Sequence, residues 1–408
     1  CSCSTYYMNK STHNFGNSVL GQLISLIPNS IIDTAVNKHN SDRYIKRFTT
    51  LEHLVTMLFC VGSNSTSLRE VCTNLLGLEG KLKHIKLKQP PKKSTLGDAN
   101  KRRNAVVFEQ IYYDLLAFYK STLSDSRFRE SYGKELSIID STTIFLFKDI
   151  LKCVGRKPIN GKNKGGIKVH LQIRADYNLP TLVKFTDATV HDSNFIQHIS
   201  FDSNTIYCFD RGYVDYLLFE RFNQTQIPFV TRIKDNAKFS SKEEFSLDNC
   251  KDDAILKDEQ IELDIRENGT ITRQLPLRRI AYWSEQHNKC YEFITNIYDL
   301  KPEQIATIYK QRWQIELLHK QLKQNFPLNY FLGDNENAII IQIWCTLIYN
   351  LLITVIQRKV EKRKWAFANL CSLIRTHLFN YINLKSFLKN PQKHYIVATQ
   401  NQIQLFSG

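Results

Sequence analysis

Two aspartates each close an apolar run in this chain. Asp140 ends Leu136-Ser-Ile-Ile-Asp140, and Asp210 ends Asn204-Thr-Ile-Tyr-Cys-Phe-Asp210 before Arg211-Gly212-Tyr213 turns toward a helix. Read as strands, both runs deliver a carboxylate at a C-terminal end, the edge of an α/β sheet where reactive groups meet ligand. Asp also commonly begins turns, so either residue alone carries little; the pair points to metal-binding or catalytic carboxylates. A third element tightens the reading. Residues 303–326 are patterned as one helix. With Tyr309 as origin and about 100° per residue, Arg312, Glu316 and Lys323 share an arc of roughly 60° with it, flanked by Trp313 and Lys320. Ile308, Ile315, Leu318 and Leu322 fall on a separate apolar stripe. The helix buries one side and presents phenol, guanidinium, carboxylate and ammonium beside it. A solvated face with i, i+4 ion pairs such as Arg312–Glu316 has the same pattern.

The elements that must hold these residues follow from periodicity. Residues 10–130 read as mostly helical. Thr49-Thr-Leu-Glu52 starts one helix, and Ser65-Thr-Ser67 opens a second over Leu68–Leu76, ending near Gly77. Two helices joined by so short a turn are compatible with a helix-turn-helix. Residues 81–103 hold nine Lys/Arg and one acid, Asp98, and lead into a long helix expected to reach about Ser121. Lys92, Lys93, Lys101, Arg102 and Arg103 are candidate phosphate contacts, because the basic run ends at a helix start, where free backbone N–H groups also attract phosphate. From Glu135 the texture turns to strands: Gly166–Arg174 alternates with period two, and Pro180–Thr189 follows. Between them and Asp140 lies a Lys/Gly/Asn-rich turn with Lys162 and Lys164. Strand-like pieces at 261–265, 271–275 and 277–283 flank a hairpin signal, Asn268-Gly269. His191 reads as a structural residue or as a residue that supports a site side chain from behind, and Trp283 and Trp313 as core tryptophans or base-stacking candidates.

The 408 residues are too many for one ordinary core. The net charge is +16, and eighteen basic against ten acidic residues place half of that excess in the first 130 positions. Such a balance favours a polyanionic partner. None of the ten cysteines forms Cys-x-x-Cys or a zinc spacing, the pattern of a reducing cytoplasm. Residues 1–10 show no signal-peptide pattern, and Met8 is a candidate initiator. Residues 338–357 are uncharged and long enough to span a bilayer, but Gln342, Thr346, Asn350 and Thr354 favour a buried core helix.

Together the motifs resemble a family. Tyr309-x2-Arg312-x3-Glu316-x6-Lys323, within YKQRWQIELLHKQLK, is similar to the Tyr-Arg-Glu-Lys box of bacterial insertion-sequence transposases of the Asp-Asp-Glu class. IIDSTT around Asp140 resembles that family's first catalytic Asp, CFDRGY around Asp210 its second, and Glu316 its Glu. The resemblance implies an α/β fold with a ribonuclease-H-like mixed sheet and flanking helices. It also implies a partition into a helical DNA-binding domain (1–130), a core (131–235 and 296–357) split by a β-rich insertion (236–295), and a basic helical tail (358–408). It implies that Asp140, Asp210 and Glu316 bind Mg²⁺, with Mn²⁺ able to substitute and two ions expected. Two hard cations roughly 3.5–4 Å apart stabilise both the attacking and the leaving oxygen of a phosphodiester, and carboxylates are their natural ligands. Arg312 and Lys323 would clamp phosphates, and Tyr309 would hydrogen-bond one. The implied partners are transposon-end and target DNA, bound by a homodimer in a bacterial, nucleoid-associated setting with no membrane. A structure-specific nuclease on the same core, or a non-catalytic DNA-binding derivative, are the other readings.

Overall fold

A computed structural model describes residues 16–392 apart from 79, 125–130, 146–165, 188–191, 268–269, 329, 334 and 361–364. The turn carrying Lys162 and Lys164, His191 and the Asn268-Gly269 turn lie outside the described residues.

The first helices are α1 (Val19–Ser25), α2 (Asn29–His39), α3 (Thr50–Ser63), α4 (Leu68–Leu76), α5 (Lys93–Arg102), α6 (Val106–Phe118) and α7 (Lys120–Leu123). α3 starts where Thr49 and Glu52 form a reciprocal capping box, and α4 where Ser67 Oγ accepts the Glu70 N–H. The end of the basic run is itself helical, as α5, and the extended backbone of Arg103 separates it from the long helix expected to reach about Ser121, which is α6 and ends at Phe118.

Strands follow: β1 (Glu135–Phe145), β2 (Gly166–Arg174), β3 (Leu179–Asp187), β4 (Thr205–Phe209), then α8 (Tyr216–Gln224), β5 (Phe229–Arg232), β6 (Phe239–Glu244), β7 (Ile255–Glu267), β8 (Thr270–Ser284) and β9 (Lys289–Thr295). The two pieces expected at 271–275 and 277–283 form one strand that runs through Pro276. The strands make a single sheet in the order β3-β2-β1-β4-β5-β9-β8-β7-β6. β1, β4 and β5 are parallel, and the other pairs are antiparallel. The β-rich insertion therefore continues the same sheet through β5–β9 pairing. An aromatic cluster fixes α8 on this sheet, with Phe219 stacked on Phe229 at 4.2 Å between ring centroids.

The patterned segment 303–326 is two helices, α9 (Pro302–Gln311) and α10 (Trp313–Asn325), interrupted at Arg312. There the Ile315 N–H bonds the Arg312 carbonyl, an i+3 contact that tightens the turn. The apolar stripe is buried as expected at Ile308, Ile315, Leu318 and Leu322. α11 (Glu336–Lys359), α12 (Phe367–Thr376) and α13 (Leu384–Lys389) complete the described chain. α11 is the apolar segment, and it packs against α3, α5, α6, α7 and α12 with Trp344 fully enclosed, as a core helix.

The chain forms two compact units, Ser124–Lys320 and the combination of Cys1–Leu123 with Gln321–Gly408. The C-terminal helices thus share a core with the N-terminal ones, whereas the five-part partition treats 296–357 and 358–408 as separate segments.

Candidate active site

The register of β1 and β4 brings the two aspartates together. The parallel pairing ends at Ile139↔Phe209, so the next residue on each strand is the acid. Asp140 is not at the end of its strand, as its motif suggested; β1 runs on to Phe145 by pairing with β2, while β4 turns away. Asp210 caps that turn, its carboxylate accepting the Gly212 N–H. Thr231 Oγ1 donates to the Phe209 carbonyl at 3.1 Å and holds the end of β4.

α9 lies across β5, β7, β8 and β9 and carries Arg312 to the same place. The guanidinium meets all three acids: Asp140 at 3.7 Å, Asp210 at 3.8 Å and Glu316 at 2.8 Å. Glu316 sits in the first turn of α10. The burial is graded. The Arg312 and Asp140 side chains are 10% and 16% exposed, Asp210 38% and Glu316 52%. Burial pushes the Asp140 carboxyl up to about 7; its Ser141 N–H bond and Arg312 oppose the rise, and Asp210 and Glu316 add to it. Burial works against the Arg312 charge, but the groups around it, Asp210 and Glu316 among them, more than offset this and hold it protonated.

Among the described residues no three His, Cys, Asp or Glu side chains are arranged to hold a metal ion. One cation, the Arg312 guanidinium, already stands among the three carboxylates. The donor set suits a hard divalent cation, being carboxylate oxygen from three separate elements with one member that burial alone disfavours as an anion.

Other expectations are met unevenly. Tyr309 is buried rather than displayed, packed on Phe293 at 4.7 Å, and its hydroxyl has no hydrogen-bond partner. Lys323 lies in the last turn of α10, half-buried, where burial lowers its pKa. Lys92, Lys93, Lys101 and Arg102 are exposed. Arg103 is not: its side chain is 4% exposed, pairs with Asp42 at 3.5 Å and donates to the Phe48 carbonyl at 2.9 Å, so it cannot serve as a surface phosphate contact. Cys208 behaves as a hydrophobe, its thiol pushed up to about 12 by burial.

Sequence reading missed the role of Asp192. Its Oδ1 accepts from Ser141 Oγ at 2.8 Å and Lys168 Nζ at 3.2 Å, tying it to the residue after Asp140. A Cβ on Gly212 would meet Asp192 Oδ2 at 3.5 Å and Asp210 Oδ2 at 3.8 Å, so glycine separates two carboxylates here. His170 is enclosed on Phe195 and between Tyr213 and Thr186, and burial lowers its pKa to about 4. Beside the acids opens a cleft of about 970 Å³ that reaches Glu316, Arg312 and Tyr309. Trp283 and Trp313 line it at 36% and 39% exposure, so neither is a core residue. His287 meets Trp313 edge-on at 4.9 Å, and Arg232 lies over Tyr291 at 4.8 Å.

A family model described as a transposase DDE domain matches residues 131–351, more than half of the chain. A second, described as a domain of unknown function (DUF4372), matches residues 15–88. The chain is 30% identical over 268 residues to a Sinorhizobium fredii protein described as transposase y4zB, covering 66% of this chain and 72% of that one. It is 23% identical to a Geobacillus stearothermophilus protein described as a transposase for insertion sequence element IS5377 (60% and 62%). A Synechocystis protein described as a transposase for insertion sequence element IS4SA matches at 27% (64% and 71%). A solved piggyBac transposase synaptic complex with hairpin DNA aligns over 96% of this chain and 86% of that one, at TM-score 0.45 and 13% identity. The chain belongs to the DDE-class transposases of bacterial insertion sequences and is a DNA transposase. Membership of this class implies the use of a divalent metal.

Proposed function

We propose that this transposase binds the terminal inverted repeats of an insertion sequence through its N-terminal helices. It cleaves and transfers DNA strands at Asp140, Asp210 and Glu316 with Mg²⁺, two ions being expected, and assembles two ends as a homodimer. The observation that carries the reading is the convergence of those three carboxylates on one guanidinium, with distances of 2.8–3.8 Å. A ribonuclease-H-like core is supported by the β3-β2-β1-β4-β5 order, in which β2 alone opposes its neighbours β1 and β3 and β1, β4 and β5 are parallel.

Asp140, Asp210 and Glu316 would hold the divalent metal, which when bound would supply Lewis acidity for phosphodiester chemistry. The chain's own residues do the rest. Arg312, freed from charge balance among the acids, offers a planar fork to a phosphate near the cut, and Lys323 offers a point charge. The Tyr309 hydroxyl, buried without a partner at the cleft, is a donor for a phosphate oxygen. Asp192 holds Ser141 and so the backbone beside Asp140. Trp283 and Trp313, partly exposed in the cleft, are the rings on which a base displaced near the cut can stack.

The test is Asp140→Asn, Asp210→Asn and Glu316→Gln in an in vitro excision assay with the element's own ends. Each variant is expected to bind the ends like the wild type and to cleave nothing. Wild-type cleavage by any one of them removes that residue from the site.

A further inference from the structure

The loop between α2 and α3 is held unusually firmly for a segment with so exposed a tip. Asp42 Oδ1 accepts from the Thr50 N–H and from Thr50 Oγ1, each at 2.8 Å. Arg103, buried beneath, reaches Asp42 at 3.5 Å and donates to the Phe48 carbonyl at 2.9 Å. The Phe48 ring packs on His53 at 5.6 Å, and His53 meets Phe108 edge-on at 5.2 Å. Both ends of the loop are thus pinned by one guanidinium. Arg103 itself is fixed, since Asn337 Nδ2 donates to the carbonyls of Asn100 and Arg103 at 2.9 and 2.7 Å.

Everything between the pins is exposed: Arg43, Tyr44, Ile45, Lys46 and Arg47. Tyr44 is 86% exposed, more than any other large hydrophobic side chain among the described residues, and Ile45 is 42% exposed. Tyr44 and Phe48 both have left-handed backbone, φ 63° and 60°, a conformation that bulky residues adopt only when surrounding contacts enforce it. The Arg43 guanidinium lies over the Tyr44 ring at 4.9 Å and donates to its hydroxyl at 3.0 Å. Along the chain three exposed cations flank one aromatic and one aliphatic side chain, and the adjoining acid, Asp42, is turned inward to Thr50 and Arg103. A solvated loop gains nothing from displaying a tyrosine in a costly conformation. A loop that meets nucleic acid does, because the cations neutralise phosphates while the ring stacks on, or wedges between, bases.

We propose that residues 43–47 form a DNA-contacting finger in which Tyr44 engages bases and Arg43, Lys46 and Arg47 engage phosphates. Arg103 is its positioning residue. This rests on the reading that the N-terminal helices bind transposon ends, and adds which residues reach the DNA. It also explains why Arg103, directly after the exposed Lys101 and Arg102, points inward: it ties the finger, far away in sequence, to the end of that basic segment.

The test measures full-length protein on duplex end DNA across a salt titration. Tyr44→Ala is expected to weaken binding about 5- to 150-fold, the range of one base–aromatic stack, with the salt slope unchanged. Lys46→Gln with Arg47→Gln is expected to flatten the slope of log K against log salt by about 0.9 for each phosphate no longer neutralised. Arg103→Gln is expected to weaken binding in the wild type but not in a chain already carrying Tyr44→Ala, Lys46→Gln and Arg47→Gln, because its effect passes through the finger. A merely structural Arg103 would weaken both. End binding that is unaffected by Tyr44→Ala and by the double substitution, while neutralising Lys92, Lys93, Lys101 and Arg102 abolishes it, overturns the finger and leaves the end-binding reading intact. A wild type that fails to bind ends overturns both. Tyr44-dependent binding to anionic phosphatidylserine vesicles, with DNA binding independent of Tyr44, assigns the loop to a membrane surface and also overturns the proposal.

Discussion

Replacing Arg312 with Met keeps most of the side-chain volume and removes the one cation, among the described residues, that touches all three acids. The contributions differ with exposure. Asp210 and Glu316 are 38% and 52% exposed, so their pairs with Arg312 contribute no more than about 1 kcal/mol each. The pair with Asp140 is buried on both sides, at 10% and 16%. Without the guanidinium, Asp140, already pushed up to about 7, takes up a proton near pH 8 at a cost of about 1.4 kcal/mol instead of remaining a stranded anion. Arg312→Met is therefore expected to destabilise the protein in EDTA by about 1–3 kcal/mol near pH 8. Divalent metal should reverse part of this destabilisation, since it takes the place the guanidinium vacates. At ten times its dissociation constant a ligand adds about 1.4 kcal/mol. The wild type should gain less, because there the metal has to displace Arg312 first. Urea unfolding with EDTA or with Mg²⁺, followed by tryptophan fluorescence, reads both quantities. Equal stability of variant and wild type in EDTA, or an equal gain from Mg²⁺, would refute the idea that Arg312 balances the charge of the acids.

Three further outcomes are expected. His53 is fully buried, and burial, followed by the Arg103 charge, lowers its pKa to about 3 against the Asn100 bond that raises it. The folded state therefore resists protonation: stability is fully present above about 6.5 and is lost as pH falls toward 3, by about 1.36 kcal/mol per unit. Between pH 6.5 and 5 the wild type should lose about 2 kcal/mol more than His53→Gln in urea titrations, and parallel decreases would contradict this. Neutralising Lys92, Lys93, Lys101 and Arg102 together should lower the salt slope of end binding by up to about 3.6, and an unchanged slope would make residues 81–102 a solvated face. Lys323→Ala and Arg312→Lys should each cut excision by orders of magnitude on ends that remain bound, and normal excision by both would remove the phosphate clamp.

The composition of this chain and a few short motifs already determined a good deal. Asp140, Asp210 and Glu316 were legible because each sits at a boundary of strong local pattern, an apolar run ended by an acid or a helix with an apolar stripe. The caps of α3 and α4 and the buried nature of α11 were legible for the same reason, since they follow from interactions within a few residues. Long-range geometry was not. That Asp140 and Asp210 emerge side by side depends on the register Ile139↔Phe209, fixed by strands far apart in sequence. That Arg103 faces inward while Lys101 and Arg102 face outward depends on Asp42, Phe48 and Asn337, which no helical periodicity connects to it. Likewise the helix arc put Tyr309 and Arg312 on a polar stripe, but only folding decided that these two would be buried and that the cation would lie among three carboxylates. Charge and periodicity are properties of neighbours along the chain, whereas the burial that shifts a carboxyl to about 7 comes from residues brought together across it.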